Sequence, residues 1–131
     1  MVDDDGRMDV MVHPTGTVAF LFTDVEGSTA MWDAEPAATA EAIAGLDRIL
    51  DDSAPTGHRA TEQGAGDSAV IAFERVSEAA AAAVTCAGAI ANEAWPTSEP
   101  IRVRMALHVG EVAVDDGGRY RGPTMNRCGR L

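Results

Sequence analysis

The chain has 131 residues, enough for one domain with a real core and little room for a second. Its formal net charge is −11 at pH 7, which argues against a general nucleic-acid binder, because that function needs a basic footprint. Every basic residue is an arginine, so a lysine-bearing phosphate loop, a Schiff base and a phosphoacceptor aspartate clamped by lysine are all excluded.

Nucleotide phosphates remain accessible to such a chain if metal ions and local arginines supply the positive charge. Cys86 and Cys128 stand in no metal-ligand spacing, and free thiols in a reducing compartment are expected. No apolar run approaches the roughly 20 residues that span a bilayer, and Asp3, Asp4 and Asp5 occupy the place of a secretory signal's positive charge. The expected setting is therefore soluble and cytoplasmic.

Residues 1–15 are acidic and Met-rich and read as a flexible leader; residues 16–131 read as the domain. Thr17 to Thr23 is a nearly continuous apolar run of strand length, suited to a central strand buried on both faces. It leads into Asp24-Val25-Glu26-Gly27-Ser28-Thr29, a carboxylate followed by a glycine-led helix start. Such a carboxylate can hold a divalent cation against a phosphate chain, with the free amides of the helix start facing the anion; it can equally cap the helix.

Ser28 to Trp32 predicts a short helix, and Pro36 suits the first position of the next. Ala42, Ile43, Leu46, Ile49 and Leu50 then recur at helical spacing, until Pro55 blocks continuation. His58 to Gln63 and Ser68 to Phe73 read as a hairpin around Gly64-Ala65-Gly66-Asp67.

Ser77 to Trp95 predicts the longest helix, with Ser77 at its N-cap and Glu78 in its first turn. Ile101 to Val109 alternates Ile101, Val103, Met105 and Leu107 against Arg102, Arg104 and His108, a strand with one exposed face. Gly110-Glu111 reads as a turn into a short strand at Val112 to Val114, and Gly122-Pro123 opens a last helix. The resulting order is an α+β, ferredoxin-like βαββαβ antiparallel sheet with helices on one face.

In that fold the first strand and the hairpin are neighbours, so Asp24 and Asp67 can converge. Two carboxylates and a nearby backbone carbonyl suit Mg²⁺ or Mn²⁺. Asn126 and Arg130, four apart, share one face of the last helix. Together they are either a solvated face or a donor pair for charge growing on a phosphoryl oxygen. His108 reads as a packing or surface histidine, and Trp32 and Trp95 as core or interface anchors near helix ends.

These pieces resemble a known family. Phe22-Thr23-Asp24-Val25-Glu26-Gly27-Ser28-Thr29, Gly66-Asp67, Leu107-His108-Val109-Gly110-Glu111 and Gly122-Pro123-Thr124-Met125-Asn126-Arg127-Cys128-Gly129-Arg130-Leu131 occur in the order found in bacterial class III adenylate/guanylate cyclase catalytic domains. The resemblance implies conversion of ATP or GTP to the 3′,5′-cyclic nucleotide and pyrophosphate in intracellular signalling. It also implies a head-to-tail homodimer with active sites at the interface.

By the same resemblance Asp24 and Asp67 bind two Mg²⁺ or Mn²⁺ ions per site, and the carbonyl of Val25 adds a ligand. The amides of Gly27, Ser28 and Thr29 face the triphosphate. Asn126 and Arg130 come from the other subunit to orient the ribose and stabilise the transition state.

The chain departs from the family in three places. Gln63 stands where a purine-selecting lysine is usual, and Arg119 where its partner, commonly Asp, is usual; Arg119 cannot accept from an adenine amino group. The family pattern also continues through further strands past the position of Leu131, so the resemblance implies a C-terminally truncated domain. These departures leave a second expectation open: a weak or inactive cyclase-like module that binds nucleotide or a partner.

Overall fold

The apolar run beginning near Thr17 forms β1, Gly16–Val25, the central strand of the sheet. The computed structural model describes residues 16–60, 67–114 and 120–121. After β1 come α1 (Ser28–Ala34), α2 (Pro36–Ser53), β2 (His58–Arg59), β3 (Ala69–Phe73) and α3 (Val76–Asn92). β4 (Val103–Val114) and β5 (Tyr120–Arg121) complete the order. The five strands lie in the order β2-β3-β1-β4-β5, and every neighbouring pair is antiparallel. The first four reproduce the expected ferredoxin-like arrangement, and β5 adds a short edge.

Both faces of β1 are buried, as an uninterrupted apolar strand demands. Side chains alternate along it, so Ala19, Leu21 and Val25 face one way and Val18 and Phe20 the other. The first set joins Ile71 and Phe73 of β3, Ala42, Leu46 and Leu50 of α2, and Ala79, Ala82 and Cys86 of α3 in the main core. The alanines of α3 are what let that helix lie close to the sheet. The second set joins Val70 and Ala72 in a smaller cluster on the face away from the helices.

Hydrogen bonds made by the Thr39 and Glu35 side chains fix the bend between α1 and α2. Buried Thr39 donates its hydroxyl to the Met31 carbonyl at 3.0 Å, a second partner for an oxygen that also accepts from Glu35 N at 2.8 Å. Glu35 sits between the helices and accepts from Ser98 N at 3.1 Å and Ser98 Oγ at 2.9 Å, tying the bend to the loop before β4. Pro36 occupies the first turn of α2, as expected.

Three sequence expectations need correction. β4 does not turn at Gly110-Glu111; it runs unbroken to Val114, because β1 extends back to Gly16 and pairs Thr17 with Glu111 and Val18 with Gly110. The α3 N-cap is Arg75 and not Ser77: Glu78 N and Ala79 N both bond back to the Arg75 carbonyl, placing Ser77 inside the first turn. At its other end α3 stops at Asn92, and Trp95 folds back so that its indole N–H reaches the Ile90 carbonyl at 3.2 Å. That indole satisfies a terminal carbonyl that further helix would otherwise have used.

Among the described residues no helix is long and apolar enough to cross a membrane. Cys86 is a free, buried thiol. The expected leader (residues 1–15), the hairpin tip (61–66), Cys128 and the last helix from Gly122 lie outside the described residues.

Candidate functional site

Asp24 is the penultimate residue of β1, on the face opposite the helices and in line with Val18 and Phe20. It does not cap α1. The N-cap of that helix is Gly27, in the left-handed region at φ 69°, and no side chain caps it. The left-handed conformation explains glycine here, since a Cβ would strain the backbone. Its carbonyl accepts from Met31 N at 3.2 Å and closes the first turn.

The Asp24 carboxylate instead has two partners across the sheet. On the β3 side, one step beyond the Thr23–Ala69 pair, Ser68 donates its hydroxyl to Oδ1 at 3.2 Å. On the β4 side, Arg104 lies directly opposite Asp24 in the register and ion-pairs with Oδ2. Ser68 is the chain neighbour of Asp67, so the first contact brings the two expected carboxylates to the same end of two adjacent strands. Asp67 has its own partner: the indole N–H of Trp32, on α1, donates to its Oδ2 at 2.8 Å.

Val25 is buried at the end of β1, so its side chain belongs to the core and only its main chain can serve a ligand. Ser28 and Thr29 open α1 immediately after Gly27. Gln63, Arg119, Asn126 and Arg130 lie outside the described residues.

Sequence reasoning missed Ser68, Arg104 and Trp32. Arg104 was readable as a solvent-facing strand residue, but not as the cross-strand partner of Asp24. Of the two expectations for Trp32, core or interface anchor, its 38% exposure on a helix with no buried residue speaks against the core.

The donor set is chemically suited to a hard divalent cation. It consists of carboxylate, hydroxyl and main-chain oxygens, with no thiol or imidazole among them. Two carboxylates and one guanidinium leave a single net negative charge to meet a cation. Among the described residues no cluster of three or more His, Cys, Asp or Glu side chains is arranged to hold a metal.

No family model matches the chain. Uncharacterized proteins of Mycobacterium tuberculosis and Mycobacterium bovis are each 43% identical over 121 residues, which is 90% of this chain and 39% of theirs. The chain thus spans about two fifths of the length of the curated relatives it matches.

Solved structures of cyclases share the fold. A Trypanosoma brucei adenylate cyclase in its monomeric state aligns with a TM-score of 0.74 and 23% identity, covering 88% of this chain and 68% of that one. The catalytic core of a rhodopsin-guanylyl cyclase with converted specificity, in complex with ATPαS, gives 0.75 and 19%, covering 89% and 70%. The guanylate cyclase domain from Catenaria anguillulae in complex with GTP gives 0.71 and 18%, covering 92% and 74%. At these identities the likeness concerns architecture, and the architecture is that of an adenylyl/guanylyl cyclase catalytic domain.

Proposed function

We propose that this domain is a nucleotide cyclase that converts ATP or GTP to the 3′,5′-cyclic nucleotide and pyrophosphate in intracellular signalling. The observation that supports the reading is the hydrogen bond to Asp24 from Ser68, the chain neighbour of Asp67, on the adjacent strand end of a cyclase-like fold. A fold alone does not fix a function, so the weight rests on these side chains.

In this reading Asp24, Asp67 and the Val25 carbonyl hold Mg²⁺ or Mn²⁺, two ions per site. When bound, such ions supply Lewis-acid charge beside the ribose 3′-oxygen and the phosphates. The 3′-oxygen forms a bond to the α-phosphorus, the bond from that phosphorus to the bridging oxygen breaks, and pyrophosphate leaves; the hydroxyl proton passes to solvent. The amides of Gly27, Ser28 and Thr29 bind the triphosphate.

Asn126 and Arg130 are contributed by a second copy in a head-to-tail homodimer. There they orient the ribose and offset charge developing on the phosphoryl oxygens. Gln63 and Arg119 face the base, and their identity favours relaxed purine choice.

A second reading, a cyclase-like module that binds nucleotide or a partner without turnover, is favoured by those same two residues. A pure binding module, however, has no chemical use for the full set Asp24, Asp67, Asn126 and Arg130. The discriminating experiment is cyclic nucleotide formation from ATP and from GTP with Mn²⁺, comparing the wild-type chain with Asp24→Ala. Metal-dependent product that Asp24→Ala abolishes supports the cyclase. Nucleotide binding without product from either triphosphate supports the module.

A further inference from the structure

Trp32 of α1 hydrogen-bonds Asp67 across 35 residues of sequence. The placement of Trp32 is unusual for its residue type. An indole buries more apolar area than almost any other side chain, yet this one stands 38% exposed on a seven-residue helix with no buried residues. Its packing therefore gives little reason for a tryptophan at this position. Its one polar group gives a reason, because the indole N–H donates to Asp67 Oδ2 at 2.8 Å.

The two aspartates are supported differently. Asp24 is held by a hydroxyl and by a guanidinium, whose charge opposes that of an incoming cation. Asp67 is held by a neutral, donor-only group, which fixes the carboxylate without cancelling its charge. One oxygen of Asp67 takes the indole hydrogen, and among the described residues no donor occupies Oδ1. Carboxylates that bind metals are commonly held by hydrogen bonds from outside the coordination sphere, and loss of such a partner weakens metal binding about 10–100-fold.

We propose that Trp32 is a positioning residue for Asp67: its indole N–H orients the carboxylate for a divalent cation and couples α1 to occupancy of that site. The proposal rests on the reading of Asp67 as a metal ligand. It concerns a residue to which neither the sequence pattern nor the comparisons give a part in metal binding.

The test uses the full chain and Mn²⁺ alone, with free Mn²⁺ measured by electron paramagnetic resonance. Trp32→Phe keeps an aromatic ring and removes the donor. The expected result is an apparent Mn²⁺ affinity weakened about 10–100-fold, with thermal unfolding unchanged because the ring is not part of the core. A parallel measurement uses Trp95→Phe, in which Trp32 is the sole tryptophan. Its emission is expected to change on adding Mg²⁺, and the change should be lost in Trp95→Phe/Asp67→Asn.

If Asp67→Asn loses Mn²⁺ while Trp32→Phe binds as tightly as wild type, the positioning role is wrong and the metal reading stands. If Trp32→Phe weakens binding only in proportion to a lowered melting temperature, its role is structural and the proposal is overturned. If wild type and Asp67→Asn behave alike, the metal reading itself fails, and the proposal fails with it.

Discussion

Gly57 precedes β2 and packs against β3, the strand that follows Asp67, and it has no space for a side chain. A Cβ built there would stand 2.5 Å from Ile71 Cγ2 and 3.0 Å from two ring carbons of Phe73. Comfortable carbon–carbon separation is about 3.5–4.0 Å, so Gly57→Ala demands a displacement of roughly 1 Å. Ile71 and Phe73 are buried in the main core and cannot swing into solvent.

Overpacking of this kind costs about 1–3 kcal/mol, and the lower chain entropy of alanine in the unfolded state returns about 0.4–1 kcal/mol. A net loss of about 1–2 kcal/mol lowers the melting temperature by roughly 4–8 °C in a domain of this size. Gly88 is the internal control, since it lies in α3 with nothing within 4 Å of its would-be Cβ. Gly88→Ala should gain about 0.5–1 kcal/mol from helix propensity alone. Thermal unfolding followed by circular dichroism reads both variants. Equal or same-sign shifts would refute the packing argument, because only the Gly57 site has buried side chains in the path of the new methyl group.

Two further predictions concern buried groups. The Thr23 hydroxyl is buried with no hydrogen-bond partner among the described residues, so Thr23→Val, which keeps the shape, should raise stability by about 1 kcal/mol; a lowered urea midpoint would show that the hydroxyl is satisfied after all. Burial pushes the Cys86 thiol up, with Arg59 pulling in the opposite direction. The native state therefore keeps a proton that the unfolded chain releases first, so this contribution is whole below the ordinary thiol range and is lost as pH rises through the folded value. Urea midpoints measured from about pH 7 to pH 10 should fall more steeply in wild type than in Cys86→Ala; parallel slopes would contradict it.

Much of this fold was legible because its strongest signals are local. The apolar run into Asp24 could only be a buried central strand, Pro36 and Pro55 bracketed α2, and turn residues marked the hairpin. Gly110-Glu111 misled because glycine is a turn residue in isolation, whereas here the ten-residue β1 pairs with β4 from Val103 to Val112, straight through that dipeptide.

The site was legible as two carboxylates and illegible as a network. The Arg104–Asp24 pair depends on the β1/β4 register, which an alternating pattern constrains only to within two residues. The Trp32–Asp67 bond depends on the angle of a helix with no buried side chain, and no periodicity in the sequence records that.

The central claim is a cyclase site with metal-binding aspartates on one chain and Asn126 on another. It is tested most directly by complementation. Asp24→Ala and Asn126→Ala are each assayed alone with Mn²⁺ and ATP or GTP, and then as an equimolar mixture after subunit exchange. Each variant alone should form no cyclic nucleotide above background. In the mixture half of the dimers pair unlike chains, and each of those carries one intact site of two, so activity should recover to about one quarter of wild type. A mixture as inactive as its components, beside an active wild type, would contradict a site shared between chains, and full activity in Asp24→Ala alone would contradict the metal site itself.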